Sequence, residues 1–295
     1  WCVPVVNPDG MYSFLELTGG TGRKNGRDTN NDGSWSPGDG VDLNRNYPFQ
    51  WGALGEKGSR SNTSSSYYRG PSPGSEPETQ AMMQLAEVVG FAASVSFHTG
   101  IVLLLAPYTI DGVENPKPDL ALEISKPLVE DLPDHPEGKD FTIKRKIYSV
   151  DGVDQDWYYH TFGTLALLVE ATRRTPTDMK IRNKIVRAVR PIWVGLFRRF
   201  LDGPSISGRV VDADGHPVRA EVRIRELRSN AGEKWESFCP AGDFHRYVLS
   251  PGRYRVQVRV PGQRVFTQRV RVREGRKSVE IRLPYRVPER NLCER

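Results

Sequence analysis

The hydrophobic period of this chain changes once, at Leu201-Asp202-Gly203-Pro204, and no single layer of secondary structure accommodates both sides of the change. Upstream, apolar-rich runs at 91–97, 101–107 and 165–169 alternate with helix-period stretches over 76–89, 118–131 and 179–200. Runs apolar on both faces belong to a sheet covered by helices. Residues 1–203 are therefore expected to form an α/β domain, a mixed β-sheet flanked by helices. Its helix at 76–89 has Glu76 and Glu78 at the positive end of the dipole and Ser75 as the expected cap. Downstream, 206–211, 220–225, 254–260, 266–273 and 278–283 alternate apolar with polar residues, between turns such as Asp214-Gly215 and Pro261-Gly262. That spacing predicts an all-β sandwich over 204–284, followed by an extended tail over 285–295.

Charge follows the same division. Residues 1–203 carry 22 Lys+Arg against 25 Asp+Glu, whereas 204–295 carry 20 against 11, so the net +6 of the chain belongs to its last third. There Arg219, Arg223, Arg225, Arg255, Arg259 and Arg269 alternate with apolar residues, which predicts a solvated sheet face and no nucleic-acid partner. The opposite sign of the first domain gives that face a docking surface within the chain. Mean hydropathy is −0.53 and no uncharged apolar run approaches about 18 residues, which excludes a membrane-spanning helix. Of the three cysteines, Cys239 and Cys293 either pair in an oxidising compartment or remain thiols like Cys2. The opening Trp1-Cys2-Val3-Pro4-Val5-Val6 reads as the end of a buried strand, with no start methionine, basic segment or cleavage site. It is the expected signature of a chain cut inside a domain.

Three groups of residues carry chemistry. Asn7-Pro8-Asp9-Gly10, Arg23-Lys24-Asn25-Gly26-Arg27 and Asp42-Leu43-Asn44-Arg45-Asn46 gather cations and amides, which suit a carboxylate or phosphate because guanidinium groups fork onto two oxygens. His98 and Glu170 each close an apolar run, the strand-end position where α/β proteins place their sites. A carboxylate at 170 is expected to be partly desolvated and shifted toward the range of a general base. Taken singly, each of these residues is equally compatible with ordinary salt bridges and structural hydrogen bonds.

Taken together, their order resembles the zinc metallocarboxypeptidases. The resemblance runs through Asn7-Pro8-Asp9-Gly10, Arg23-Lys24, Gly40 to Tyr47, Tyr68-Arg69-Gly70-Pro71, Ser75 to Thr79, Ser96-Phe97-His98, Ile147-Tyr148, Asp156-Trp157 and Glu170. It implies that His98 is a zinc ligand, that Arg23 polarises the scissile carbonyl, and that Asn44 and Arg45 hold the substrate's terminal carboxylate. By the same resemblance Tyr148 caps that carboxylate and Glu170 is the base, so the implied partners are peptide or protein C-termini. The family's His-x-x-Glu, which supplies the other two ligands, is absent, and His135, His160, His216 and His245 do not stand in its place. A non-catalytic protein of the same fold that binds peptide C-termini is the alternative reading.

Gln155-Asp156 and the following β domain resemble the N/E-like branch of the family, which carries a transthyretin-like domain and trims basic ends. Thr109 stands where that branch has an acid, so apolar or mixed ends are expected, with Asp111, Asp151 or Asp154 as the possible replacement. Asp28, Asn30, Asp32 and Asp39 match the first, third, fifth and twelfth positions of a calcium loop, with Gly33 at the sixth and Pro37-Gly38 breaking any exiting helix. A plain Asx-rich turn explains the same four residues, so the expected protein is a secreted or periplasmic monomer with Zn2+ as its ion and Ca2+ only as the alternative to such a turn.

Overall fold

The computed structural model describes residues 1–16, 21–36, 38–115, 117–138, 140–230 and 232–293. They divide into two compact units. One comprises Trp1–Ala86, Thr109–Gly112 and Lys146–Trp157; the other comprises Glu87–Tyr108, Val113–Arg145 and Tyr158–Arg295.

The first unit is built mainly of loops. Helix α1 (Pro8–Glu16) starts where Asn7 accepts the Gly10 N–H at 2.8 Å, with proline in its first turn. Helix α2 (Pro77–Val89) begins at the Glu76 carbonyl, which accepts the Gln80 N–H. Ser75, expected as the cap, instead donates to Glu76 Oε1 at 2.6 Å and accepts from Asn46 Nδ2 at 3.0 Å. Buried polar side chains tie the loops together. Glu76 receives Asn25 Nδ2 at 2.8 Å and Arg27 Nη1 at 2.7 Å, while Asn46 Nδ2 also donates to the carbonyls of Arg69 and Ser72. Residues 1–6 are exposed and form no strand, since a strand needs a ladder partner and none of the described residues pairs with them.

The second unit holds the mixed sheet. Its strands β1 (Ala93–His98), β2 (Val102–Leu105), β3 (Ile143–Lys144) and β4 (Leu165–Ala171) lie in the order β1-β4-β2-β3. Strand β4 runs parallel to β1 and antiparallel to β2. Its first five residues are buried, as the unbroken run requires. Helix α3 (Leu120–Ser125) is shorter than the 118–131 pattern suggests, because Asp119 caps it and Pro127 turns its end into a 3-10 turn. Helix α4 (Asp154–Phe162) precedes β4. The long helix α5 (Met179–Asp202) is capped by Asp178 and buries Ile185, Ala188, Val189, Ile192 and Leu196 along one stripe.

Beyond it, β5 (Ser205–Val211), β6 (Glu221–Ile224), β7 (Asp243–Tyr247), β8 (Gly252–Arg259), β9 (Phe266–Val272) and β10 (Arg276–Arg282) form two three-stranded sheets, β10-β5-β7 and β6-β8-β9. One apolar cluster, including Ile206, Phe244 and Ile281 with Val222, Val256 and Val270, joins their inner faces. The residues after 284 are tied down, not extended. Leu292 bridges to Val218, Val287 is buried, and Cys293 is disulfide-bonded to Cys239; Glu294 and Arg295 lie outside the described residues. Cys2 is a free, exposed thiol. Among the described residues no helix is long and apolar enough to cross a membrane.

Candidate active site

Asp42 organises the loop-built group in the first unit. Its Oδ1 accepts the Asn44 N–H at 3.1 Å and starts the 3-10 turn Leu43–Arg45, while its Oδ2 receives Arg23 Nε at 2.9 Å and Nη2 at 2.5 Å. Burial acts to lower the pKa of the Arg23 guanidinium, but the Asp42 charge and hydrogen bonds outweigh it and hold the value above the ordinary one. Asn44 Oδ1 accepts the Asp154 N–H at 2.9 Å, which commits the amide oxygen and leaves Nδ2 as the donor for a ligand.

Arg45 is only 4% exposed. Its Nη1 donates to the Asn44 carbonyl at 2.5 Å and its Nη2 to the Tyr148 hydroxyl at 3.4 Å, yet Nε is buried with no hydrogen-bond partner among the described residues. An unmet buried donor on a cation calls for an anionic acceptor. The Tyr67 ring lies 5.4 Å from the Arg23 guanidinium and 5.7 Å from that of Arg45, and keeps two like charges side by side. Tyr148 is 52% exposed. The segment bearing it is anchored at Gly152, where a Cβ would stand 2.4 Å from the Arg45 carbonyl oxygen and where φ is +67°.

In the second unit, His98 and Glu170 are register partners on the parallel strands β1 and β4, both half-buried, and Glu170 also faces Leu103 of β2. Register partners on neighbouring strands project from the same face about 4.8 Å apart. The strand ends thus bring an imidazole and a carboxylate together, as their positions after apolar runs suggest.

These residues do not complete a zinc site. A catalytic zinc takes three protein ligands, and the group of three metal-capable side chains found among the described residues is Asp212, Asp214 and His216, away from His98. His135 is occupied with the Ala171 carbonyl and His245 with Ser207. The acids of the proposed calcium loop do not converge either. Asn30 and Asp32 are exposed and bond each other, while the half-buried Asp28 accepts the Gly33 N–H on Oδ2 and has a buried Oδ1 with no hydrogen-bond partner among the described residues. Asp39 turns inward, so that both its oxygens are taken up by Thr29 and Ser36, and those donors hold its pKa down at about 2 against the effect of burial. Pro37 lies outside the described residues.

Thr109 is buried and donates its N–H and hydroxyl to Asp156, whose carboxyl burial pushes up to about 7 against those hydrogen bonds. The neighbouring Gln155 is 1% exposed, and its Oε1 has no hydrogen-bond partner among the described residues. Of the three possible replacement acids, Asp111 pairs with Lys146, and one oxygen of Asp151 accepts the Leu54 N–H. The sequence reading assigned no role to Asp42 or Tyr67. Asp42 lies inside a quoted motif and was detectable as the only acid there, whereas Tyr67 reaches the arginines through a loop that carries no periodic signal.

A family model described as zinc carboxypeptidase matches residues 1–186, and the chain belongs to that family. A metallocarboxypeptidase A-like protein of Trichophyton verrucosum is 34% identical over 162 residues, 52% of this chain and 36% of that protein. Carboxypeptidase A5 of Macaca fascicularis is 32% identical over 194 residues, 59% of this chain and 41% of the relative. The chain thus spans well under half the length of these curated relatives. The solved carboxypeptidase A of Helicoverpa armigera superposes with a TM-score of 0.50 at 23% identity, over 66% of this chain and 49% of that one, which makes the α/β fold carboxypeptidase-like.

Proposed function

We propose that this chain carries the carboxylate-binding and base-supplying parts of a metallocarboxypeptidase that releases C-terminal amino acids from peptides or proteins. The observation that carries the proposal is the buried Arg45 with its unmet Nε, flanked by the Asn44 amide and the Tyr148 hydroxyl. A free chain end offers an α-carboxylate one residue from the scissile bond, so binding it there selects exopeptidase cleavage. Arg23, fixed by Asp42, faces the charge that develops on the carbonyl oxygen. Glu170 takes the proton of the attacking water and returns it to the leaving amine. Gln155 lines the side-chain subsite.

His98 is one metal ligand, and because the described residues supply no complete set, the activity is proposed for a chain in which His-x-x-Glu precedes Trp1. The test is hydrolysis of a blocked dipeptide, with a free or an amidated C-terminus, by that longer chain. The free acid is expected to be preferred by about 100-fold or more, and Arg45→Ala to abolish the preference. Equal rates on acid and amide would sink the proposal. A non-catalytic binder of peptide ends is favoured only by the single metal-directed imidazole; tight peptide binding by a longer chain that lacks His-x-x-Glu would support it.

The same reading places the protein in the N/E-like branch, with the two sheets after α5 as a transthyretin-like domain. Secretion agrees with the Cys239–Cys293 disulfide, which persists in oxidising compartments. A monomer remains part of the proposal, as does calcium held by Asp28, Asn30, Asp32 and Asp39, for which Asp39 would have to exchange its bonds to Thr29 and Ser36 for the ion.

A further inference from the structure

We infer that the outer edge of the β domain, between β9 and β10, binds a linear sulfated polysaccharide. Both are edge strands among the described residues, since β9 pairs only with β8 and β10 only with β5. Between them lies a groove of about 610 Å³ lined by Arg269, Arg271, Arg273, Arg276 and Lys277, against the acids Glu274 and Glu280. Glu280 is already engaged by Arg209 and Arg282.

The face beside the groove carries charge that the fold does not neutralise. Arg269 stands in register with Arg255, and Arg271 with Arg253, two like-charge pairs directly across β8 and β9. Such pairs destabilise a sheet. Arg255 has Glu226, but Arg253, Arg269, Arg271 and Arg273 have no ion-pair partner among the described residues. A surface reading of solvated arginines explains their exposure but not their accumulation opposite one another.

The lining identifies the occupant. No aromatic ring lines the groove, so a single-stranded nucleic acid finds no stacking platform. Its apolar residues are Val270, which is buried, and Val279, so an acidic peptide finds no pocket for an anchoring side chain. Guanidinium groups repeat about every 6.8 Å along β9 and about 4.8 Å across to β8, a planar grid of forked donors. A rigid polymer with sulfates on each repeat meets that grid without needing pockets or base stacking.

The test is titration of the 295-residue chain with a labelled heparin oligosaccharide, with poly-glutamate and a single-stranded oligonucleotide in parallel. Heparin is expected to bind at least about tenfold more tightly than either, and to weaken steeply with salt. The triple variant Arg269→Gln, Arg271→Gln, Arg273→Gln is expected to lose about tenfold or more in affinity. The variant Lys184→Gln, Arg187→Gln, Arg190→Gln removes the same charge from the exposed face of α5 and should stay within about twofold of wild type. Equal losses in the two triples would reduce the effect to net charge and overturn the inference, as would tighter binding of poly-glutamate or the oligonucleotide. Loss of the β9 arginines also relieves the pairs with Arg253 and Arg255, so the melting temperature should hold or rise. If the triple variant does not fold, the heparin-induced rise in melting temperature of Arg271→Gln decides, and a rise equal to that of wild type overturns the inference.

Discussion

The loop-built group around Arg45 and the strand-built pair His98 and Glu170 are positioned by different physics. In the first, no side chain is placed by a ladder; buried polar groups hold each other, Asp42 with Arg23, Asn46 with three acceptors, Glu76 with Asn25 and Arg27. In the second, the register of β1 on β4 places both side chains, and apolar burial from Leu165 to Val169 holds the register. A loop-built site is adjustable and sensitive to single hydrogen bonds. A strand-built one is rigid and sensitive to volume.

Function should separate the two most sharply. If the proposed function holds, in a chain that includes His-x-x-Glu the change Glu170→Gln is expected to lower kcat by about 1,000-fold with KM little changed, because it removes the proposed base and leaves the carboxylate-binding group around Arg45 intact. Arg45→Ala should act mainly through KM. Steady-state kinetics on one substrate checks both, and a Glu170→Gln effect confined to KM would break the comparison.

Stability gives the next largest contrast. Leu167→Ala, in the fully buried centre of β4, should destabilise by about 3 kcal/mol through lost burial and the cavity left behind. Asn46→Ala should cost about 2 kcal/mol, because it strands the buried Glu76 N–H and removes a second donor from the Arg69 and Ser72 carbonyls, which keep Trp51 Nε1 and the Ser75 N–H. Urea unfolding followed by far-UV circular dichroism reads the first. Loss of peptide affinity out of proportion to the change in midpoint marks the second as a loop effect.

Two acids of the first unit titrate in opposite senses. Asp156, raised to about 7, contributes stability in full below the ordinary carboxylate range and loses it as pH climbs through about 7. Asp39, lowered to about 2, contributes above that ordinary range and loses it as pH falls through about 2. Asp156→Asn keeps an oxygen for the Thr109 N–H and should flatten the decline between about pH 4 and 7, whereas Asp39→Asn should leave that window unchanged. Unfolding midpoints across pH, compared with wild type, test the assignment.

The last contrast concerns calcium, which acts on the loop-built unit alone. If the loop carrying Asp28, Asn30, Asp32 and Asp39 binds it, saturation at about 100 times Kd adds about 2.7 kcal/mol and a few degrees of melting temperature. Asp32→Ala should remove the shift. Identical melts with calcium and with chelator in wild type would return the loop to a hydrogen-bonded turn.

How much of this was legible in the sequence follows the same division. The strand-end placement of His98 and Glu170, helix α5 and five of the six later strands could be read from periodicity, since burial imposes the period. Strand β7 was not, because its inward positions include Arg246, a buried guanidinium that donates to the carbonyls of Val222, His245 and Trp235 and breaks the apolar alternation. The partners of Arg23, Thr109 and Ser75 were equally hidden, since side-chain hydrogen bonds between distant loops leave no local pattern.

Strands β5 and β10 have a consequence for how the two sheets after α5 come into being. They pair in parallel, and partners such as Arg209 and Glu280 are separated by 71 residues. The first of these six strands to leave the ribosome therefore waits for the last, and the sheet β10-β5-β7 cannot close until β10 has been synthesised. Long-range parallel pairing is slow to form, so this sheet is where nascent chains should dwell with an open edge and where a chaperone would engage them.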